Sequence, residues 1–182
     1  MAGRGRLPDM SADMLNAIAQ LEATPGILRA LLDGLTPAQT QWKAVPDRFS
    51  IAEVIEHLSH AEGHAFRDRI ERMVQEDNPT LQEYDQNAFA AAGQYSGRDA
   101  EDSFDHWEDQ REDAVEYLRS LPEITGARKA VHENLGSITV SEQLNEWAFH
   151  DLGHIRQIAE IVRTILFYPH MGPFRAEYTV KP

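Results

Sequence analysis

The chain has 182 residues, of which 42% are hydrophobic and 26% charged, and it carries a net charge of -13 and no cysteine. This length suits one domain over residues 1–182. The acidic balance argues against a broad basic surface for nucleic acid or an anionic membrane, so we expect a small-molecule substrate and a homodimer. Without cysteine there is no disulfide or thiolate zinc site, and no segment has the roughly 18 to 20 apolar residues of a membrane span. We therefore expect a cytoplasmic protein.

The first helix is predicted from a cap and from apolar residues at helical spacing. Ser11 is its candidate N-cap, and Thr24-Pro25 in its middle indicates a kink or a restart. The apolar pattern ends near Gly34. We therefore expect one kinked helix or two stacked pieces.

The second helix is predicted to begin after Ser50, whose side chain can form a capping box with Glu53. It should end before Asn78-Pro79, because a residue that precedes proline disfavours the helical conformation. Its apolar stripe predicts one buried face. Three histidines lie within it: His57, His60 and His64.

The segment from Pro79 to Gly97 is predicted to be a long crossover between the second and third helices. It is polar and rich in small residues, and at about 3.3 Å per residue it can span the length of a bundle. Its scattered aromatic residues are Tyr84, Phe89 and Tyr95. A third helix is expected from about Arg98 to Leu121, with Arg111 unusually placed on its inward stripe.

The fourth helix follows a connector that contains at most a short extended piece near residues 137–140. Ser141 is its predicted N-cap, and the aromatic run Phe167–Phe174 is expected to pack over one end of the structure. Four amphipathic helices without convincing strands predict an all-α four-helix bundle with its core at about residues 11–165.

The fourth helix carries the pattern most typical of a site, because His150 and His154 lie four residues apart. On a helix this spacing places both rings on one face, with Cβ atoms about 5 to 6 Å apart. One divalent metal ion can bind two such imidazoles, although such pairs also occur as solvated or hydrogen-bonded surface residues. If the second and fourth helices touch, His57 can join them. Three protein ligands with one open position are typical of catalytic zinc.

Other ligand sets stay open at this point. His60 or His64 could replace or join His57, and a hydrogen-bonded histidine cluster without metal is the alternative to a site. A di-iron carboxylate centre is disfavoured, since none of these histidines has a glutamate three residues before it.

The sequence resembles the DinB/YfiT family of four-helix-bundle metalloenzymes over about residues 11–165. The matching segments are Thr24–Leu28, Phe49–Leu58, Gly136–Val140 and His150–Gln157. The resemblance implies the bundle with its crossover, and metal ligation by His57, His150 and His154, with zinc or nickel as the ion. Some relatives are S-transferases for low-molecular-weight thiols or a thiol-dependent isomerase. One departure is Phe49, where relatives often have Trp.

We therefore expect a metal-dependent transferase that lowers the pKa of a thiol or water and presents the anion to an electrophile. Asp151 is a candidate acceptor for an imidazole N–H or a general base. Arg111 is expected to pair with a carboxylate such as Asp85 or Glu62, with binding of an anionic substrate or cofactor as the alternative. The competing functions are a non-enzymatic, dimerising metal-binding module related to stress and a metal-dependent hydrolase.

Overall fold

The computed structural model describes residues 14–182, so the predicted cap Ser11 lies outside the described residues. Its helices are α1 (Met14–Leu32), α2 (Pro37–Thr40), α3 (Ile51–Ala61), α4 (Asp68–Gln75), α5 (Gln86–Ala91), α6 (Ala100–Ser120) and α7 (Val140–Val162). Its strands are β1 (Thr80–Leu81), β2 (Lys129–His132) and β3 (Gly136–Thr139). Among the described helices, none is long and apolar enough to cross a membrane.

The predicted all-α four-helix bundle with a long crossover is confirmed. Its four rods are α1, the continuous α3–α4, α6 and α7, and a π-helical stretch, Glu62–Arg67, joins α3 to α4. α1 packs against α7 and α6, while α3 packs against α6 and α7. The crossover between α4 and α6 includes β1 and α5. Trp107 of α6 and Trp147 of α7 are fully buried in the two parts of the core.

A small three-stranded sheet lies beside the bundle. The sequence predicted only a short extended piece near residues 137–140. β2 pairs antiparallel with β3 and parallel with β1, so the crossover is hydrogen-bonded to the connector that precedes α7. Strands of two and four residues carry too little alternation for their pattern to predict them.

The caps of the second and fourth rods differ in how well they were predicted. The Ser50 hydroxyl accepts from the Glu53 amide at 3.2 Å, and the Glu53 carboxylate accepts from the Ser50 amide at 2.8 Å, which confirms the capping box. The prediction that Ser141 caps α7 was wrong. Thr139 is the cap, with a second capping box to Glu142, because β3 leads directly into the helix.

α1 continues through Pro25 without a break. Proline lacks the amide hydrogen that would bind the carbonyl oxygen of Leu21, four residues earlier. Arg111 of α6 supplies a replacement donor, since its Nη1 lies 3.1 Å from that oxygen. The Thr24 hydroxyl also donates to the Gln20 carbonyl at 3.0 Å. The Arg111 donor offsets the bond that Pro25 cannot make, and α1 is one helix rather than two stacked pieces.

The C-terminal segment returns along the end of α7 through polar contacts. The Lys181 amide donates to Glu160 at 2.7 Å, and Arg163 donates to the Thr179 carbonyl at 3.1 Å. We expected the aromatic run Phe167–Phe174 to pack over one end of the bundle. The side chains of Phe167 and Phe174 are instead 62% and 66% exposed. Two prolines and a glycine in this run favour short 3-10 turns, which do not direct the rings onto the bundle.

Candidate metal centre

Three imidazoles from two helices converge on one point. The Nε2 atom of His150 on α7 lies 3.1 Å from Nε2 of His154, one turn later, and 3.1 Å from Nε2 of His57 on α3. All three candidate ligand atoms lie within 4.8 Å of one another. The structure thus brings together the three histidines named from the sequence.

The hydrogen bonds of the three Nδ1 atoms indicate whether each Nε2 atom carries a hydrogen or presents a lone pair. Nδ1 of His154 lies 3.0 Å from the Gln157 side-chain oxygen, so this nitrogen carries the hydrogen and Nε2 presents a lone pair. Nδ1 of His57 lies 3.5 Å from the Tyr95 hydroxyl. Nδ1 of His150 is buried without a hydrogen-bond partner in the described part of the chain. Whichever tautomer His150 adopts, its Nε2 carries at most one hydrogen and can donate to at most one of its two close neighbours.

Converging lone pairs repel unless a cation lies between them. Two nitrogens bound at about 2.0 to 2.1 Å to one zinc-like ion, at angles of roughly 90° to 109°, would lie about 2.8 to 3.4 Å apart. The two observed separations of 3.1 Å fall in this range. These two separations and the imidazole donor set therefore fit a divalent transition metal.

The surroundings keep the imidazoles neutral and able to bind metal. Burial lowers the pKa of His57 from 6.5 to about 3, with further lowering by the neighbouring His154 and His60. The pKa of His150 falls to about 2, again mainly through burial, with contributions from both other histidines and from Arg111. Burial also lowers the pKa of His154, although its bond to Gln157 opposes the change.

His60 and His64 lie beside the trio of His57, His150 and His154 and are not part of it. Nδ1 of His60 lies 2.8 Å from the Tyr84 hydroxyl, and Nδ1 of His64 donates to the His60 carbonyl at 2.9 Å. Their rings stack with centroids 4.2 Å apart. The π-helical stretch that begins at Glu62 has a wider turn than an α-helix, so the seven-residue spacing from His57 no longer keeps His64 on the same face.

Arg111 is occupied by structural contacts. Its five N–H donors meet five acceptors: Glu62 receives two, Asp151 receives two, and the Leu21 carbonyl receives one. The guanidinium is 1% exposed. No donor of Arg111 remains free, so the geometry does not support its alternative role in binding an anionic substrate or cofactor. Of the two expected partners Glu62 is correct, while Asp85 instead caps α5.

Asp151 lies next to His150 in sequence but points toward α6. Both of its carboxylate oxygens accept from Arg111, at 2.6 and 3.2 Å, and its side chain is fully buried. It therefore does not accept from an imidazole N–H, and a carboxylate held in this pair is poorly placed as a general base. Its charge still acts on the site at a distance, since it raises the pKa of His154.

Several residues at the site were not predicted as functional. The Tyr95 hydroxyl lies 2.9 Å from the Tyr84 hydroxyl, so a chain of hydrogen bonds links His57 through both tyrosines to His60. Three aromatic residues in an otherwise polar crossover were the available signal. Phe49, the departure from the family pattern, also lies at the site, with its ring centroid 6.1 Å from that of His57.

A cleft of about 420 Å³ opens beside His57 and His150. Its walls come from α3, the π-helical stretch, α4, the crossover, the β2–β3 turn and α7. Apolar residues and charged residues both line it. They include Ala61, Ala65, Phe66, Arg69, Glu83 and Glu146. This volume lies in the usual range for small-molecule sites.

Comparisons with known proteins identify the family of this chain. A protein of Oceanobacillus iheyensis named "Putative metal-dependent hydrolase OB0782" is 23% identical over 146 residues, which are 80% of this chain and 84% of that protein. YfiT from Bacillus subtilis, described as a probable metal-dependent hydrolase with an unusual four-helix bundle topology, has a TM-score of 0.75 at 20% identity, covering 91% of this chain and 93% of its own. Residues 20–158 match the DinB superfamily, and because this match spans most of the chain, the protein belongs to that superfamily.

Proposed function

We propose that this protein is a divalent-metal-dependent enzyme that transfers a low-molecular-weight thiol to an electrophile. His57, His150 and His154 would hold the ion, with zinc or nickel as the first candidates. The observation that carries the proposal is the convergence of three neutral imidazole nitrogens beside an open cleft. The chain has no cysteine, so the thiol must come from solution.

The ion, when bound, would act as a Lewis acid that lowers the pKa of a thiol or water at its open position. The residues around it have separate tasks. Gln157 accepts from Nδ1 of His154, which directs the opposite nitrogen inward. Tyr95 does the same for His57 through a longer contact. The small side chains of Ala61 and Ala65 leave room for a substrate next to the ligands.

The proposal is tested by metal analysis and activity on the same preparations. The purified protein is stripped, reloaded with zinc or nickel, and assayed for conjugation of 2-mercaptoethanol or L-cysteine to 1-chloro-2,4-dinitrobenzene. We expect one ion per chain and a thiol-dependent rate. His150→Ala should lose both, while His64→Ala, altered in a neighbouring histidine outside the trio, should keep both. Metal binding that is undiminished in His150→Ala would refute the site.

A second candidate function is metal-dependent hydrolysis, which the names of both relatives favour. The same three-imidazole site can activate water in place of a thiol. Release of p-nitrophenol from p-nitrophenyl acetate, measured without thiol, separates the two activities. Turnover that needs the ion but no thiol favours hydrolysis. Stoichiometric metal without either activity favours the non-enzymatic module.

A further inference from the structure

Arg69 is a half-buried cation in the cleft beside the histidine trio. It lies on α4, and its Nη2 donates to the Gln82 carbonyl at 2.5 Å. Within residues 14–182 it has no carboxylate within 4.0 Å, whereas the buried Arg111 has all of its donors satisfied. A guanidinium that is partly removed from water is stabilised by a counterion. Arg69 forms no ion pair within the described residues, so it can bind an added anion.

Carboxylates border the same cleft without closing onto Arg69. Glu146 lies one helical turn before His150, and its carboxylate accepts from the Gln143 amide at 2.7 Å. Glu83 accepts from the Asn134 amide. The charges of Glu146 and Glu83 raise the pKa of Arg69, while its burial lowers it by more. The positive charge of Arg69 and the negative charges of Glu83 and Glu146 therefore interact through space without forming an ion pair.

This arrangement of positive and negative side chains in the cleft favours some anionic ligands over others. A doubly charged phosphate would meet Arg69 but would be repelled by Glu83, Asp85 and Glu146, which all line the cleft. A single carboxylate is repelled less. A carboxylate that carries an ammonium group nearby satisfies both signs, because the ammonium is attracted by the acidic side chains.

We propose that this cleft binds a zwitterionic small molecule with an α-amino-acid head group, its carboxylate on Arg69 and its ammonium on Glu146. The fork of the guanidinium matches a carboxylate with two parallel hydrogen bonds. The cleft volume of about 420 Å³ suits a molecule of amino-acid or dipeptide size. That this ligand is the substrate rests on the proposed function, whereas its binding does not require the ion.

The test uses the metal-free full chain, so that binding is measured apart from catalysis. Three probes share one thioether tail: S-methyl-L-cysteine, 3-(methylthio)propionate without the ammonium, and 2-(methylthio)ethylamine without the carboxylate. Their dissociation constants are measured by NMR chemical-shift titration. We expect the zwitterion to bind at least about tenfold tighter than either truncated probe, as the loss of one charge-assisted contact predicts. Inorganic phosphate should bind more weakly than the zwitterion.

Two variants assign the contacts. Arg69→Gln should bring the zwitterion and the amine probe to similar affinity, because the carboxylate then has no partner. Glu146→Gln should do the same for the zwitterion and the acid probe. Arg72→Gln is the matched control, since Arg72 is exposed on the same helix and pairs with Glu76. If Arg69→Gln unfolds, Arg69→Lys replaces it and should still weaken binding, because lysine lacks the fork.

The outcomes separate this inference from the proposed function. Equal affinities for the three probes, tighter binding of phosphate, or unchanged affinities in both variants overturn the zwitterion site, even if the metal-loaded enzyme turns over simple thiols. Selective binding of the zwitterion upholds it, even if no metal-dependent activity is found.

Discussion

The Nε2 atoms of His57 and His150 lie 3.1 Å apart although 93 residues separate them in sequence. His150 cannot donate to both His57 and His154, because a neutral imidazole has one N–H and its Nε2 faces both partners. Three nitrogens are thus held in an arrangement that a bound cation would relieve. This relationship leads to measurable consequences for metal binding, pH dependence and stability.

Metal binding should stabilise the folded protein. At a free ion concentration about one hundred times the dissociation constant, an ion that binds only the native state adds about 2.7 kcal/mol to the free energy of unfolding. For a chain of this length, that corresponds to a rise in Tm of roughly 5 to 11 °C. Differential scanning fluorimetry of stripped and reloaded protein measures it. His150→Ala should show no rise, and equal melting temperatures of stripped and reloaded wild-type protein would contradict the prediction.

The metal-free protein should become less stable as the pH falls from 7 to 5. The pKa of His57 is lowered from 6.5 to about 3 and that of His150 to about 2. The unfolded chain therefore binds more protons than the native state in this range. The stabilisation is complete above pH 6.5 and is lost progressively as the pH approaches the native pKa values.

Urea unfolding at several pH values, with chelator present, measures this loss. Carboxylates contribute a similar trend, so the informative quantity is the difference between wild type and His150→Gln. The variant should have a shallower slope by up to about 1.4 kcal/mol per pH unit. Parallel slopes would show that His150 takes up no proton on unfolding.

The outer partners of the imidazoles should tune metal affinity in a definite order. The bond from His154 to Gln157 is 3.0 Å long, whereas the contact from His57 to Tyr95 is 3.5 Å. Loss of such a partner typically weakens metal binding by about 10- to 100-fold. We therefore expect Gln157→Leu to fall in this range and Tyr95→Phe to have a smaller effect.

Competition with a chromogenic chelator measures both affinities. Tyr117→Phe is the control, because Tyr117 packs under Arg67 and does not contact the trio. A larger loss in Tyr95→Phe than in Gln157→Leu would reverse the assigned order.

The buried charge cluster should be important for stability. Arg111→Met leaves Glu62 and Asp151 buried without their cation, which typically costs about 3 to 5 kcal/mol, and it also removes the donor to the Leu21 carbonyl opposite Pro25. Urea unfolding measures the free energy. The exposed pair of Arg119 with Glu22 provides the contrast, and Arg119→Ala should cost less than about 1 kcal/mol. Similar costs for both variants would contradict this role.

Local signals were enough to predict much of the bundle. The capping box of Ser50 and Glu53 and the spacing of His150 and His154 each depend on bonds or geometry within a few residues. The wrong cap at Ser141 has the same origin, since Thr139 also fits the cap pattern and only the end of β3 selects between them.

The sequence by itself determined the helical rods, the crossover and the set of histidines from which a site could be built, because helix periodicity and capping are written in neighbouring residues. Helix spacing left both His57 and His64 open as the partner of α7, and the tertiary structure brings His57 there, as the family resemblance implied. Only the tertiary structure decided that Asp151 turns to Arg111 and that Tyr84 and Tyr95 of the crossover lie beside the ligands. These choices depend on the rotation and crossing of helices and on the π-helical stretch after Ala61, which shifts every later residue around the helix axis. Contacts of that kind arise from long-range packing, which no local pattern specifies.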